Sequence, residues 1–371
     1  MNKQIIVASL RARPVRTAVS ILAVALEVTL ILVVVGLTAG IANETGRRIE
    51  GVGGDIMLQA PNSSLILGMN SSVMPEALGP KVAEVEGVKA VAPVLLQTNS
   101  QNGLEIVYGI DPASFDAVSG GFRILKGRLF KDFVAGEPSE IVVDDWYAAA
   151  KRVDVGSEVE ILNQKFKISG IVENGKGARI FMSIRTAQES TGSFGKASLF
   201  FIKLNNPDEI EAVTKRLDVI LPTYPARNMR EYASLMTSEN IPALDAFIQT
   251  VVFVAVCIGV LVIFLSMYTT ITERTREIGI LRSLGASKSF IVTLILQESV
   301  LLCVLGVVIG VGASFGIAPL VKVAFPTLVV LITWDWVWKA AFFAIVSGVI
   351  GSLYPSIKAA KQDPIEALAY E

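Results

Sequence analysis

Apolar residues are concentrated along this chain in four runs long enough to cross a bilayer, which takes about 20 residues. The first spans 17–41 and holds a single charge, Glu27. The second spans 243–271, with Asp245 near one end. The third, 290–321, contains Glu298, and the fourth, 334–357, has Asp335 and Lys339 near its start. Each run predicts a membrane helix.

The long segment 42–242 has a different pattern. Strand-like stretches fall at 55–60, 88–98, 105–108, 199–204 and 219–224. Helical periodicity falls at 75–85, where Leu78, Val82 and Val85 share a face, and at 207–217. These make two strand–helix–strand parts, 55–115 and 196–240, flanking a β-rich part at 116–195. Within it, residues 155–161 alternate apolar and polar, and 165–172 reads as a hairpin partner. The predicted fold is a membrane protein with four transmembrane α-helices and a large α+β extracytoplasmic domain inserted between helices 1 and 2.

Charge sets the orientation. Lys3, Arg11, Arg13 and Arg16 precede the first run without an acid. Arg274, Arg276, Arg282 and Lys288 lie between the second and third runs, and Lys358 and Lys361 follow the fourth. The loop between the third and fourth offers only Lys322. Lys and Arg favour the cytoplasmic side. Both terminal segments, 1–16 and 358–371, and the 272–289 loop are therefore expected in the cytoplasm of a bacterial inner-membrane, multi-pass protein. Trp334, Trp336 and Trp338 would form an outer aromatic belt. The first run follows basic residues as a signal peptide would, but it is too long and lacks a small-residue cleavage site, so it reads as a retained helix.

Composition narrows the functions. Hydrophobic residues make up 52% of the chain and charged residues 18%, and the mean hydropathy is +0.57. A net charge of −1 gives no basic field for nucleic acid. Histidine is absent, which removes Ser-His-Asp and His-zinc chemistry from this chain. Cys257 and Cys303 lie inside apolar runs and indicate no disulfide framework.

The sharpest local feature is the 273–287 run, E-R-T-R-E-I-G-I-L-R-S-L-G-A-S. Ile278, Leu281, Leu284 and Gly285 share a face at helical spacing. Arg274 with Glu277, and Glu273 with Arg276, are spaced to pair. Gly285 stands where a helix ends. The prediction is a short amphipathic helix on the inner membrane surface that wants a partner, either lipid headgroups or a protein groove. A basic loop that only sets topology is the simpler alternative. Beyond the fourth run, Asp363 is placed as an N-cap, Pro364 at the first helical position and Glu366 as a capping-box acid. A second short helix is expected there, with a frayed end as the alternative.

The chain resembles the permeases of the MacB/FtsX-like ABC transporter family. The 273–287 run is similar to that family's cytoplasmic loop. Tyr354-Pro355, Lys358-Ala359-Ala360 and Asp363-Pro364-Ile365-Glu366-Ala367-Leu368 are similar to its C-terminus. Gly53-Gly54-Asp55-Ile56 is similar to the start of its outer domain. The resemblance implies a MacB-like domain at 42–242 and an FtsX-like permease domain at 243–371. It implies a dimer, with an identical copy or a paralogue, docked on a cytoplasmic ABC ATPase. Arg274, Glu277, Ile278, Gly279, Leu281, Leu284 and Gly285 would meet that ATPase. In MacB itself the ATPase is fused ahead of the first helix, whereas here that helix begins by residue 17. No G-x-x-x-x-G-K-[ST] occurs in the sequence, so ATP and Mg are expected on the partner, and this chain is expected to bind no cofactor and catalyse nothing. A periplasmic adaptor is compatible with the chain but not demanded by it.

Two acids sit inside membrane runs. A charge in lipid costs at least about 2.5 kcal/mol, so Glu27 and Glu298 are expected to face protein or water. An interhelical structural bond is favoured over a role in coupling for both. The pairs Gly36/Gly40, Gly306/Gly310 and Gly312/Gly316 have the spacing of close helix contacts. The expected mechanism is movement of the outer domain driven by the ATPase, for export or extraction of a substrate from the membrane or periplasm. The rivals are an FtsX-like regulator of cell-envelope enzymes, a receptor without an ATPase, and an intramembrane enzyme. The last lacks any nucleophile–base pair.

Overall fold

A computed structural model describes residues 14–63, 72–99, 105–131, 139–235 and 242–362. Lys3, Arg11 and Arg13, and the predicted cap residues Asp363, Pro364 and Glu366, lie outside the described residues. The chain divides into a membrane unit (residues 1–40, 242–324 and 328–371) and an inserted unit (41–241 and 325–327).

Helix α1 (Pro14–Gly51) runs on past the predicted end at 41. The apolar run stops where Glu44, Arg47, Arg48 and Glu50 begin, but charges do not end a helix. Ala42 and Ile49 stay buried on one side of this extension.

The inserted unit then contributes β1 (Ile56–Gln59), β2 (Met74–Pro75), α2 (Leu78–Ala83), β3 (Val88–Asn99), β4 (Glu105–Ile110) and α3 (Pro112–Ser119). Next come β5 (Ile124–Gly127), β6 (Glu140–Asp144), α4 (Asp145–Lys151), β7 (Glu158–Ile161), β8 (Gln164–Val172), β9 (Ile180–Ser183) and α5 (Ile184–Thr191). The series closes with β10 (Lys196–Ala197), β11 (Leu199–Leu204), α6 (Ile210–Ile220), β12 (Ala226–Asn228) and α7 (Met229–Leu235). The main sheet has the order β12-β1-β11-β3-β4-β9-β6-β8-β5, with β7 on β8. Most pairs are antiparallel, while β4–β9 and β6–β8 are parallel.

The β-rich segment and its flanks thus share one sheet, joined at β4–β9. Strand alternation sorts the core. Met57, Val94, Tyr108, Phe181 and Phe201 form a single cluster on one face, with Ile49 and Val52 from the end of α1. On the other face the core is split. Ile56, Leu58, Phe200 and Ile202 pack with Val213 and Leu217 of α6, and Val107, Ile141, Ile180 and Met182 pack with Ile184 and Ala187 of α5. Four-residue strands buried throughout, such as β1 and β9, follow from cover on both faces.

One predicted strand is absent. Residues 219 and 220 end α6, and the strand comes later, as β12. Val219 and Ile220 read as strand residues but lie 82% and 53% exposed on the last helical turn. Pro222 and Pro225 keep the following residues out of a central ladder.

The membrane unit is completed by α8 (Pro242–Glu273), α9 (Thr275–Ser283), α10 (Lys288–Ala324) and α11 (Trp334–Lys361). Together with α1, the helices α8, α10 and α11 are the four described helices long and apolar enough to span a membrane. Glycine sets their approach. A Cβ at Gly306 or Gly310 would run into Val24, Ala25 and Val28 of α1, and one at Gly351 into the Val260 carbonyl of α8. Gly36 takes a hydrogen bond from the Leu331 amide at 2.8 Å. Gly312 and Gly316 meet nothing within 4 Å, so their shared spacing does not serve packing inside the chain.

Candidate functional site

The break between α8 and α9 occurs without glycine or proline. Four threonines crowd the end of α8, and their hydroxyls bond back to carbonyls: Thr269 to Leu265, Thr270 to Ser266, Thr272 to Tyr268 and Thr275 to Ile271. Such back-bonding competes with the helix ladder and bends it. At the bend Arg274 leaves helical geometry, with φ −110° and ψ 19°. Its side chain is tied on two sides, to Glu277 at 2.8 Å and to Glu298 of α10 at 3.2 Å. Glu298, predicted as an intramembrane acid, is therefore an anchor for the start of α9.

Two more arginines hold this corner. Arg16 of α1 bonds Glu273 at 2.7 Å, so Glu273 pairs with α1, where the sequence spacing suggested Arg276. Arg282 donates to the carbonyls of Ala360 and Gln362 at 2.9 and 2.7 Å. A cation there satisfies carbonyls left free at the end of α11 and complements its dipole. The α8–α9 corner is thus fastened to α1 and α10, and α9 itself to α11.

The end of α9 is equally defined. Gly285 has φ +97°, the left-handed conformation that glycine adopts without a Cβ clash. The Ala286 amide bonds the Leu281 carbonyl and the Gly285 amide bonds the Arg282 carbonyl, both at 3.0 Å. This is a Schellman ending with Gly285 at C′. Ser287 then caps α10, its hydroxyl accepting from the Phe290 amide at 3.2 Å.

The predicted apolar face divides in two. Ile278 and Gly279 are buried, and Leu281 is half-buried. Ile278 and Leu281 line a cleft with Ile271, Ile291, Leu294 and Ile295. Leu284 is 80% exposed and Ile280 44%. With Arg276 they lie at i, i+4 and i+8, a mixed basic and apolar stripe that the membrane unit leaves open. The predicted face named Leu284 with the inward residues and omitted Ile280.

Glu27 is placed differently. Its Oε2 accepts from the Ser347 hydroxyl of α11 at 3.3 Å. Its carboxylate occupies the space left by the missing side chain of Gly259 on α8. Oε1 is buried without a hydrogen-bond partner among the described residues.

A second buried polar group lies in the inserted unit and was not singled out from sequence. Glu44 and Arg48, on the extension of α1, are 3.7 Å apart. Arg179 reaches Glu44 at 3.9 Å and Asp144 at 3.3 Å, and Trp146 stacks on its guanidinium. Asp144 also caps α4 through the Tyr147 amide. Burial pushes the Asp144 carboxyl up to about 6, against the pull of Arg179. The i, i+4 spacing of Glu44 and Arg48 was a sequence signal for this group. Its partners, about a hundred residues away, gave none.

Comparisons with known proteins fit this architecture. A family described as MacB-like periplasmic core domain matches residues 17–220, and FtsX-like permease C-terminal matches residues 250–364. The ABC transporter permease YknZ of Bacillus subtilis (strain 168) is 26% identical over all of this chain and 99% of its own length. The macrolide export ATP-binding/permease protein MacB of Burkholderia cenocepacia (strain HI2424) is 26% identical over 95% of this chain. The chain spans 55% of that protein's length. The crystal structure of the YknZ extracellular domain aligns with 47% of this chain and 99% of its own, at 17% identity and a TM-score of 0.36. With a membrane unit that ends in FtsX-like sequence and an inserted unit of MacB-like sequence, the chain belongs to the MacB/FtsX-like family of ABC transporter permeases.

Proposed function

We propose that this permease docks a separate ATPase subunit on α9 and passes the ATPase's closure to its inserted domain. The observation that carries this reading is the division of α9 into a fastened side and an open one. Arg282, with Glu273 and Arg274 at the corner that opens it, ties it to three membrane helices, while Arg276, Ile280 and Leu284 remain available to a partner. A push on the open side is then delivered to α1, α10 and α11 together. Helices α1 and α8 flank the inserted segment in sequence, so they are the elements that carry the displacement to it. In this reading α9 and both termini are cytoplasmic and the inserted domain is not. ATP and Mg are held by the partner, and the chain itself catalyses no reaction. The working unit is a dimer, with the unburied apolar faces of the membrane helices against lipid or a second permease. The substrate is moved out of the membrane or from the extracytoplasmic side.

The test is the double variant Ile280→Asp/Leu284→Asp. Both side chains are exposed, so the fold should persist. Loss of two central apolar contacts should weaken association with the coexpressed ATP-binding subunit by at least about tenfold, with membrane insertion unchanged. Association and stimulated ATP hydrolysis at the parent level in this variant would overturn the docking assignment.

A further inference from the structure

An open cleft of about 440 Å³ lies in the inserted unit between α6 and the strand β12. Its size falls in the range of ligand sites. Strand β12 ends the main sheet and pairs only with β1 among the described residues. The register fixes which backbone groups are free. The Gln59 amide bonds the Pro225 carbonyl, and the Met229 amide bonds the Asp55 carbonyl. Since Met57 lies opposite Arg227 between these two pairs, the amide and carbonyl of Ala226 and the amide of Asn228 point away from β1, while the Asn228 carbonyl opens α7. Ala226 and Asn228 both line the cleft.

Two side-chain atoms in the lining are buried without a hydrogen-bond partner among the described residues, Thr214 Oγ1 and Arg227 Nε. Thr214 is in mid-helix, where Thr29 and Thr38 bond back to the carbonyl four residues earlier. Thr214 does not. Arg227 makes no ion pair with another described residue. Buried orphaned groups of this kind call for an occupant with acceptors. The exposed mouth carries Glu211, Asp218 and Glu231 against Lys215, and none of these carboxylates is ion-paired with a described residue. A phosphate or other anion would face three carboxylates. A peptide segment meets both demands, with amides and carbonyls inside and basic side chains at the mouth.

We infer that this cleft binds an extended polypeptide segment with basic side chains, which adds to the free edge of β12. The main chain pairs with Ala226 and the Asn228 amide, acceptors of the segment meet Arg227 Nε on one face of the edge and the Thr214 hydroxyl on the other, and the basic side chains meet Glu211, Asp218 and Glu231. This is strand addition to a sheet edge, in which backbone bonds give affinity and side chains give selectivity. It does not depend on the ATPase and holds whether or not α9 is the docking helix.

The experiment uses the full chain in detergent, without nucleotide, and fluorescence anisotropy of labelled hexapeptides. The probes are an alternating Lys/Val peptide, its Glu/Val counterpart, and two Lys/Val versions N-methylated at odd or at even positions. The Lys/Val probe should bind and the Glu/Val probe should not. One methylated probe should lose at least about tenfold and the other should bind normally, since only one set of amides faces β12. Asp218→Lys/Glu231→Lys and Arg227→Ala should each weaken the Lys/Val probe by about tenfold or more. Equal binding of both methylated probes would mean electrostatic adhesion alone and would overturn the proposal. So would binding of the Glu/Val probe, unchanged affinity in Arg227→Ala, or no binding by any probe.

Discussion

Glu27 and Glu298 look alike in sequence, each an isolated acid in an apolar helix, yet their surroundings are opposite in kind. Glu298 of α10 lies beside the α8–α9 corner, and the structure brings the Arg274 guanidinium to it at 3.2 Å. Glu27 lies deep among α1, α8 and α11, where Ser347 supplies a hydroxyl and Gly259 supplies room. Nearness to the α8–α9 corner decides which solution is available. Beside that corner, a long arginine can reach in from the break between two helices. In the middle no cation is at hand, and the acid must be fitted by shape and one neutral donor.

The largest effect is expected at the paired acid. Glu298→Ala takes from Arg274, which is 19% exposed, the carboxylate that faces it from α10. Stranding one partner of a largely buried pair should cost about 2–4 kcal/mol, read as a lower thermal unfolding midpoint in detergent. The double variant Arg274→Met/Glu298→Met should recover most of that loss. Equal losses in the single and double variants would show that the pair does not hold the corner. The unpaired acid is probed next from its neighbour. Gly259→Ala places a methyl onto the Glu27 carboxylate, an overpacking cost of about 1–3 kcal/mol. Adding Glu27→Ala should relieve it. If Gly259→Ala destabilises equally with and without Glu27, the glycine serves helix packing and not the acid.

How much of this was legible in sequence follows from the range of each interaction. The four membrane helices, the Gly285 ending and the pairing of Arg274 with Glu277 depend on residues within one turn or one run, and they were readable. The bend at Arg274 had a local signal in Thr269, Thr270, Thr272 and Thr275, but threonine in helices is common and the signal passed unused. The partner of Glu273 was misjudged because Arg276 is near in sequence, while Arg16 is 257 positions away. For the same reason the Arg282 contacts with α11, the fit of Gly259 to Glu27 and the pairing of Glu44 and Arg48 with Arg179 and Asp144 could not be read. The split of the 273–287 face was hidden too. Spacing alone places Leu284 with Ile278, whereas the packing of α10 decides that Ile278 turns inward and Ile280 outward.

The smallest effect sharpens the contrast between the two acids. Glu27→Gln keeps size and shape, retains an oxygen for the Ser347 hydroxyl and removes the charge. If the carboxylate is held by fit and one hydrogen bond, the amide should serve nearly as well, with stability changed by less than about 1 kcal/mol. Glu298→Gln should behave otherwise, because Arg274 then loses a charged partner and the hydrogen bond becomes a weaker neutral one. Thermal unfolding of the two glutamine variants side by side reads this directly. A large loss in Glu27→Gln would mean that Glu27 is ionised and meets a charge supplied from outside the chain, such as a second permease. An unchanged midpoint together with lost transport would assign Glu27 a working role in place of a structural one.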